Sequence, residues 1–334
     1  MNPFTVVGHE WAVEQLQQAL DGQRVPQALL LTGPESVGKH TLARWLAAAL
    51  FCETPAEAPC GVCRSCRRIL SGNHPDVLWV EPEGAKAQLK IDQIRGVERF
   101  LALTPLEGTH KVAIIGEFDR ANVSAANALL KTLEEPPRYA HLILLAEDAE
   151  RLLPTITSRT QQITLRPLAP ARIAEALERV WHVDQGTAWR LAQISGGRIG
   201  WAVVASQDPS ISEQLESALG SLADALAMEL PERFALAAQL ARAPEAFLEM
   251  LEYWLLFWRD VLSLQTGQEQ VVTDLTRPGF AQYVADSVLV TEVAALLEAL
   301  VAARDAVRAN ANLQLLLESL MLDLPQVNVP QIPG

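Results

Sequence analysis

Ala28-Leu29-Leu30-Leu31-Thr32-Gly33-Pro34-Glu35-Ser36-Val37-Gly38-Lys39-His40-Thr41 is the stretch from which the rest of the chain is read. Residues 28–31 are an apolar run of the length of a buried strand. Gly33-x4-Gly38-Lys39 follows, and apolar residues then recur at helical spacing from Thr41 to Phe51 (Leu42, Trp45, Leu46, Leu50). Strand, glycine loop and helix in that order make a phosphate loop. Its glycines let backbone N–H groups wrap phosphate oxygens, its lysine reaches the β and γ phosphates, and a hydroxyl on the next residue holds Mg²⁺. Gly33, Gly38 and Lys39 fit those roles. The next residue is His40, which has no hydroxyl, and Thr41 stands one position too far along. The cradle for ATP is present, and the side chain for its Mg²⁺ is missing.

Outward from this loop, helical spacing predicts a helix over Glu10–Leu20 before it and helices over Ile91–Leu103 and Ser124–Glu135 after it, the last stopped by Pro136 and Pro137. Apolar runs predict strands at Val77–Val80, Lys111–Ile115, His141–Ala146 and Gln162–Leu165. Strands alternating with helices imply an α/β domain, three layers about a parallel sheet. Beyond Pro170 the strands stop. Three short helices are expected at 171–181, 185–194 and 199–205, with a break at Ser195-Gly196-Gly197, and Asp208-Pro209-Ser210 reads as a linker. Helices are expected at 215–226, 234–240, 245–264, 290–307 and 313–322, and an extended tail after Pro325. The run Tyr253-Trp254-Leu255-Leu256-Phe257-Trp258 is apolar on several faces, which is the pattern of a buried helix.

All four cysteines fall within fifteen residues, as Cys52, Cys60, Cys63 and Cys66. Pairs two residues apart in a turn converge on one ion, and four thiolates complete a closed tetrahedral Zn²⁺ shell with no open position, so the metal would be structural. Two disulfides are the alternative, which a cytosolic protein disfavours. A redox role lacks a thioredoxin-like setting.

The net charge of −13 is unevenly placed. Residues 208–334 hold 18 acids against 6 arginines, whereas 1–207 are nearly balanced, with 22 against 21. All five lysines lie within the first 131 residues. An acidic C-terminal part is a poor DNA binder by itself, because phosphate neutralisation needs clustered cations. No run is long and charge-free enough to span a membrane, and the start Met1-Asn2-Pro3-Phe4 has no leader pattern, so the cytoplasm is the expected location.

Ala125-Ala-Asn-Ala-Leu-Leu-Lys-Thr-Leu-Glu-Glu-Pro-Pro137, downstream of the phosphate loop and the cysteines, resembles the clamp-loader branch of the AAA+ ATPases. His74-Pro75-Asp76, Ile91-Asp92-Gln93-Ile94-Arg95, Ser158-Arg159 and Asn310-x-Asn312-x-x-Leu315-x-x-Glu318 extend the resemblance over essentially the whole chain. It is nearest to the delta-prime subunits of the bacterial DNA polymerase III clamp loader. The resemblance implies an AAA+ P-loop domain over 1–168 with a zinc module at 52–66, a helical lid over 169–207, an all-α collar over 208–325 and a tail over 326–334. It implies a stator in a ring with gamma/tau and delta subunits, acting with the sliding clamp and primed DNA.

The family pattern also places roles. Where it has Asp-Glu after the third strand, this chain has Gly116-Glu117, so the metal-orienting acid is gone and the water-activating position is kept. The polar residue expected near Ala146 or Glu147 is neither Thr nor Asn, and the lid arginine falls at Gly200-Trp201, two residues past Arg198. These departures imply a subunit that has lost hydrolysis. Thr157-Ser158-Arg159-Thr160 matches the family's Ser-Arg-Cys motif, so Arg159 is expected to act as an arginine finger in a neighbour's ATP site. The alternatives are that Arg159 caps a short helix, that the chain is an ATP-hydrolysing gamma/tau subunit, or that it is a free-standing P-loop ATPase.

Overall fold

In β1 (Ala28–Thr32) side chains alternate between faces, as strand geometry requires: Leu29 and Leu31 enter one apolar cluster and Leu30 the other. The same alternation runs through β3 (Lys111–Ile115) and β4 (Ala140–Ala146), every residue of which is buried. This is a computed structural model in which residues 2–83, 88–268, 279–308 and 311–327 are described. With β2 (Val77–Val80) and β5 (Gln161–Thr164) the strands form one parallel sheet in the order β2-β3-β4-β1-β5. Helices α1 (Glu10–Asp21), α2 (Lys39–Phe51) and α3 (Arg64–Leu70) cover one face, and α4 (Ile91–Ala102), α5 (Val123–Glu134) and the short α6 (Pro154–Thr157) cover the other. The three-layer reading holds, with strand limits within a residue of those expected. Helix α3 is new: the sequence reading placed no helix inside the cysteine insertion.

His74-Pro75-Asp76 has a structural explanation. Asp76 is fully buried and pairs with the buried Lys111 at 3.0 Å. It also accepts N–H bonds from Leu106 and Glu107, at 2.8 and 2.6 Å. Burial raises its pKa, but those two N–H groups and then Lys111 outweigh it, and the carboxyl sits below its usual range.

The described chain divides into two compact units, Met1–Ala188 with Gly197–Val203, and Trp189–Gly196 with Val204–Gly334. Three helices follow the sheet, α7 (Pro170–Trp181), α8 (Gln185–Ile194) and α9 (Ile199–Gln207). The break before α9 needs glycine: Gly197 has φ +85°, and a Cβ there would stand 2.9 Å from the Leu168 backbone nitrogen.

The second unit is helical: α10 (Pro209–Ala227), α11 (Leu230–Leu240), α12 (Pro244–Gln265), α13 (Phe280–Ser287), α14 (Val290–Arg308) and α15 (Leu313–Asp323). The expected linker at Asp208-Pro209-Ser210 is instead the start of α10, where the Asp208 carboxylate accepts the Ser210 N–H at 3.0 Å and Pro209 takes the first helical position. Those are ordinary helix-start residues. Helix α13 was also not anticipated. The aromatic run of α12 is core, with Trp254, Phe257 and Trp258 buried and Trp254 Nε1 donating to Ala218 O at 3.0 Å. Asn310 and the tail beyond Val327 lie outside the described residues.

Arg233, near the start of α11, is 3% exposed. Its five N–H groups donate to Leu226, Met228, Met321, Leu324 and Pro325 carbonyls at 2.5 to 3.4 Å. A guanidinium has five donors, and here every one meets a carbonyl left over at the end of α10 or α15. Burial lowers its pKa from the usual value. Arg233→Met keeps the apolar stem but removes all five of those hydrogen bonds. It should cost about 3 kcal/mol and lower the melting temperature by roughly 10 °C. An unchanged transition in a thermal melt would show that water replaces the guanidinium at no cost.

Candidate nucleotide and metal sites

The phosphate loop leaves the C-terminal end of β1 where the sheet order turns to β4 on one side and β5 on the other, the place where parallel sheets form a ligand crevice. Gly33 (φ +141°) and Gly38 (φ +118°) take backbone conformations closed to other residues, and a Cβ on Gly33 would clash with the Leu165 carbonyl. Gly38 precedes α2, so the positive end of that helix faces the loop. The Lys39 ammonium is turned back onto the loop, donating to the carbonyls of Gly33 and, at 2.8 Å, Pro34. Burial pushes its pKa below the usual lysine value, against the opposing pull of Glu147, Asp119, Glu35 and Glu117. His9 supports the loop from α1's side: its Nε2 lies 3.0 Å from Val37 O, and burial holds its pKa down. A cleft of about 500 Å³ lies between the start of α1 and the segment after β5, lined by Gly8, His9, Trp11, Thr164, Arg166 and Leu168 among others.

His40 is exposed at the first turn of α2, and Thr41 is half-buried behind it. The His40 Nε2 lies 3.3 Å from Glu81 Oε1, and its ring stacks on Trp79 with centroids 5.6 Å apart. Glu81 follows β2, and the Trp79 indole N–H also donates to it. Glu117 has φ +45° and a pKa raised by burial. Arg120 opposes that shift, with its Nε 2.6 Å from Glu117 Oε2 but out of line for a hydrogen bond. At the polar-residue position after β4, the Glu147 carbonyl accepts the Gly33 N–H at 3.0 Å, its N–H points to Asp119 Oδ1 at 3.4 Å, and its carboxylate pairs with Arg151 at 3.3 Å. At the lid position, the Gly200 N–H donates to Ser36 O at 2.8 Å. No hydroxyl follows Lys39 directly, and the carboxylate of Glu81 is engaged by His40 and Trp79.

The cysteines do converge. All four Sγ atoms lie within 4.8 Å of one another, and none is in a disulfide. A tetrahedral Zn²⁺ with bonds of about 2.3 Å needs sulfurs roughly 3.8 Å apart, so the four fit a metal. Backbone N–H groups point at three of them: Cys60 N to Cys52, Cys63 N to Cys60 and Cys66 N to Cys63, at 3.4, 3.3 and 3.4 Å. N–H groups aimed at sulfur favour thiolates. The Cys60 thiol is pulled down to about 6 by the Thr54 hydroxyl and by the Cys63 and Val62 N–H groups, whereas burial pushes Cys66 up. The spacing is local to the chain; the helix that starts at Arg64 and turns Cys66 inward is what closes the set.

Arg159 stands just past α6. Its guanidinium meets Glu134 at 2.8 Å and donates to Thr155 O at 3.1 Å, while remaining about a third exposed. Glu134 belongs to the Leu-Glu-Glu-Pro-Pro segment at the end of α5, so two of the singled-out motifs meet in this pair. The missed residue of the whole region is Glu81, which no pattern in the sequence marks.

Comparison with known proteins agrees. The family described as DNA polymerase III, delta subunit, matches residues 8–169. DNA polymerase III subunit delta' of Bacillus subtilis is 31% identical over 325 residues, covering 93% of this chain and 94% of the relative. The subunit delta' of Pseudomonas aeruginosa is 39% identical over 182 residues, 51% of this chain and 56% of the relative. DNA polymerase III subunit tau of Escherichia coli is 35% identical over 240 residues, 68% of this chain and 37% of the relative. The first alignment runs nearly end to end in both proteins, and on that ground the chain belongs to the family of DNA polymerase III subunit delta'.

Proposed function

We propose that this chain is the delta-prime subunit of a clamp loader, a stator that helps place the sliding clamp on primed DNA during replication in the cytoplasm. The observation that carries this is the alignment over 94% of a delta' subunit. Its partners are the gamma/tau and delta subunits of a hetero-oligomeric ring. Residues 1–168 supply the P-loop domain, 169–207 the lid and 208–325 the collar that joins the ring. Zn²⁺ held by Cys52, Cys60, Cys63 and Cys66 is structural, cross-linking the insertion at 52–66. Arg159 serves as a finger to the ATP site of a neighbouring subunit.

The chain does not hydrolyse ATP. Lys39 and the glycines can still cradle phosphates, but His40 and Gly116 leave the Mg²⁺ without its two side-chain anchors, and the ion is what neutralises charge developing on the phosphates. The purified chain should show no turnover above background, and Lys39→Ala should change nothing. Turnover that Lys39→Ala abolishes would replace this reading with an active gamma/tau-type subunit. No helix among the described residues is long and apolar enough to cross a membrane.

A further inference from the structure

Gly116 ends β3 beside β2, where a phosphate-loop ATPase carries the aspartate that holds Mg²⁺. A side chain put back there must displace another. A Cβ on Gly116 would run into the Glu81 carboxylate, which already fills that space. Glu81 is held there from two sides, by the Trp79 indole N–H and by His40 at 3.3 Å. His40 is itself the residue after the loop lysine, where the other Mg²⁺ ligand belongs. Its ring is stacked on Trp79, and the Arg44 guanidinium lies 5.3 Å from that indole's centroid.

We propose that the His40–Glu81 pair, braced by Trp79, occupies the divalent-cation position of this site, so that any polyphosphate the loop takes up binds without Mg²⁺. The acid has changed strand, from β3 to the end of β2. It has also changed partner, since the His40 imidazole stands where the metal would. This goes further than loss of hydrolysis. Two missing ligands would leave a weak metal site, whereas an occupied one excludes the ion, and restoring one ligand cannot repair it. The assignment rests on reading the loop as one without turnover. It is tested by binding and stability, which are separate from the turnover measurement.

The test has two arms on the full-length chain. In the first, a fluorescent ATP analogue is titrated with Mg²⁺ or with EDTA. The wild-type chain should give the same result in both, whether as equal affinity or equal absence of binding. His40→Thr/Glu81→Gly/Gly116→Asp, which empties the position and restores both ligands, should bind about tenfold more tightly with Mg²⁺ than without. In the second arm, thermal melts compare Gly116→Asp with Gly116→Asp/Glu81→Gly. The single variant should melt roughly 5 °C lower, because two acids compete for one space. Removing Glu81 should recover most of that loss. The proposal is overturned if wild-type binding tightens with Mg²⁺ in a way that Glu81→Gln abolishes, since Glu81 would then be a ligand. It is also overturned if Gly116→Asp alone is as stable as the double variant, or if the triple variant shows no Mg²⁺ dependence.

Discussion

Arg159→Ala in a reconstituted loader should leave the ring assembled, lower DNA- and clamp-stimulated ATP turnover, and slow clamp loading. The guanidinium is suited to stabilising a transferring phosphoryl group because its planar, permanently charged fork meets two oxygens at once. A finger supplied by a partner is worth roughly 10³ or more in rate at the site it serves. Only the ATP sites facing this subunit depend on it, so total turnover should fall in part, and loading should fall further if the sites fire in sequence. In the free chain the group is held by Glu134 and Thr155 O. That ion pair is half-exposed and worth about 0–1 kcal/mol, so little opposes its transfer to a phosphate. Two companions separate catalysis from capping. Arg159→Lys keeps the charge but loses the fork and should also be slow. Glu134→Gln frees the arginine and should leave turnover near wild type. If the ring fails to assemble, or turnover and loading are unchanged, Arg159 is an interfacial or capping residue and the finger is withdrawn.

The second large effect concerns the metal. Purified chain should carry about one zinc, and Cys63→Ser should release it. Apparent binding free energies of structural zinc are on the order of 10–16 kcal/mol near neutral pH, so the loss should open the whole insertion. Cys63 is the informative choice because its N–H serves Cys60 and its sulfur receives the Cys66 N–H. Hydrogen exchange should then show residues 52–70 unprotected while β1 and α2 keep their protection. Folded, metal-free protein with two disulfides would refute the assignment.

What the sequence disclosed and what it concealed follow the range of the interactions. The strand–loop–helix unit at 28–51 was legible because each part is local: an apolar run, glycines at fixed offsets and a helical period. The four cysteines were legible because ligand spacing is local too. Helix α3 was hidden because its seven residues offer only Cys66 and Ile69 as buried positions. The start of α10 is hidden because Asp208-Pro209-Ser210 has the composition of a turn as well as that of a helix cap followed by a first-turn proline. Glu81 was beyond reach. Its meaning depends on the space beside Gly116, 35 residues further on, and on the register that aligns Val80 with Ile115. Sequence shows that an acid is absent at 116, but only the fold shows what took its place.

Arg233 has a consequence for the order in which the chain is made. Two of its acceptors, Leu226 and Met228, precede it on the ribosome, but Met321, Leu324 and Pro325 follow 88 to 92 residues later. At about 5–20 residues per second, those carbonyls appear roughly 5–20 s after the arginine does. Throughout that interval the guanidinium has only part of its set and must stay hydrated, so α10 and α11 cannot close over it. The Val327 N–H, which joins Leu226 O at 2.9 Å, arrives last of the described groups. The C-terminal helical unit therefore closes only once translation has passed α15 and Val327, and a nascent chain stopped short of them is held from presenting it.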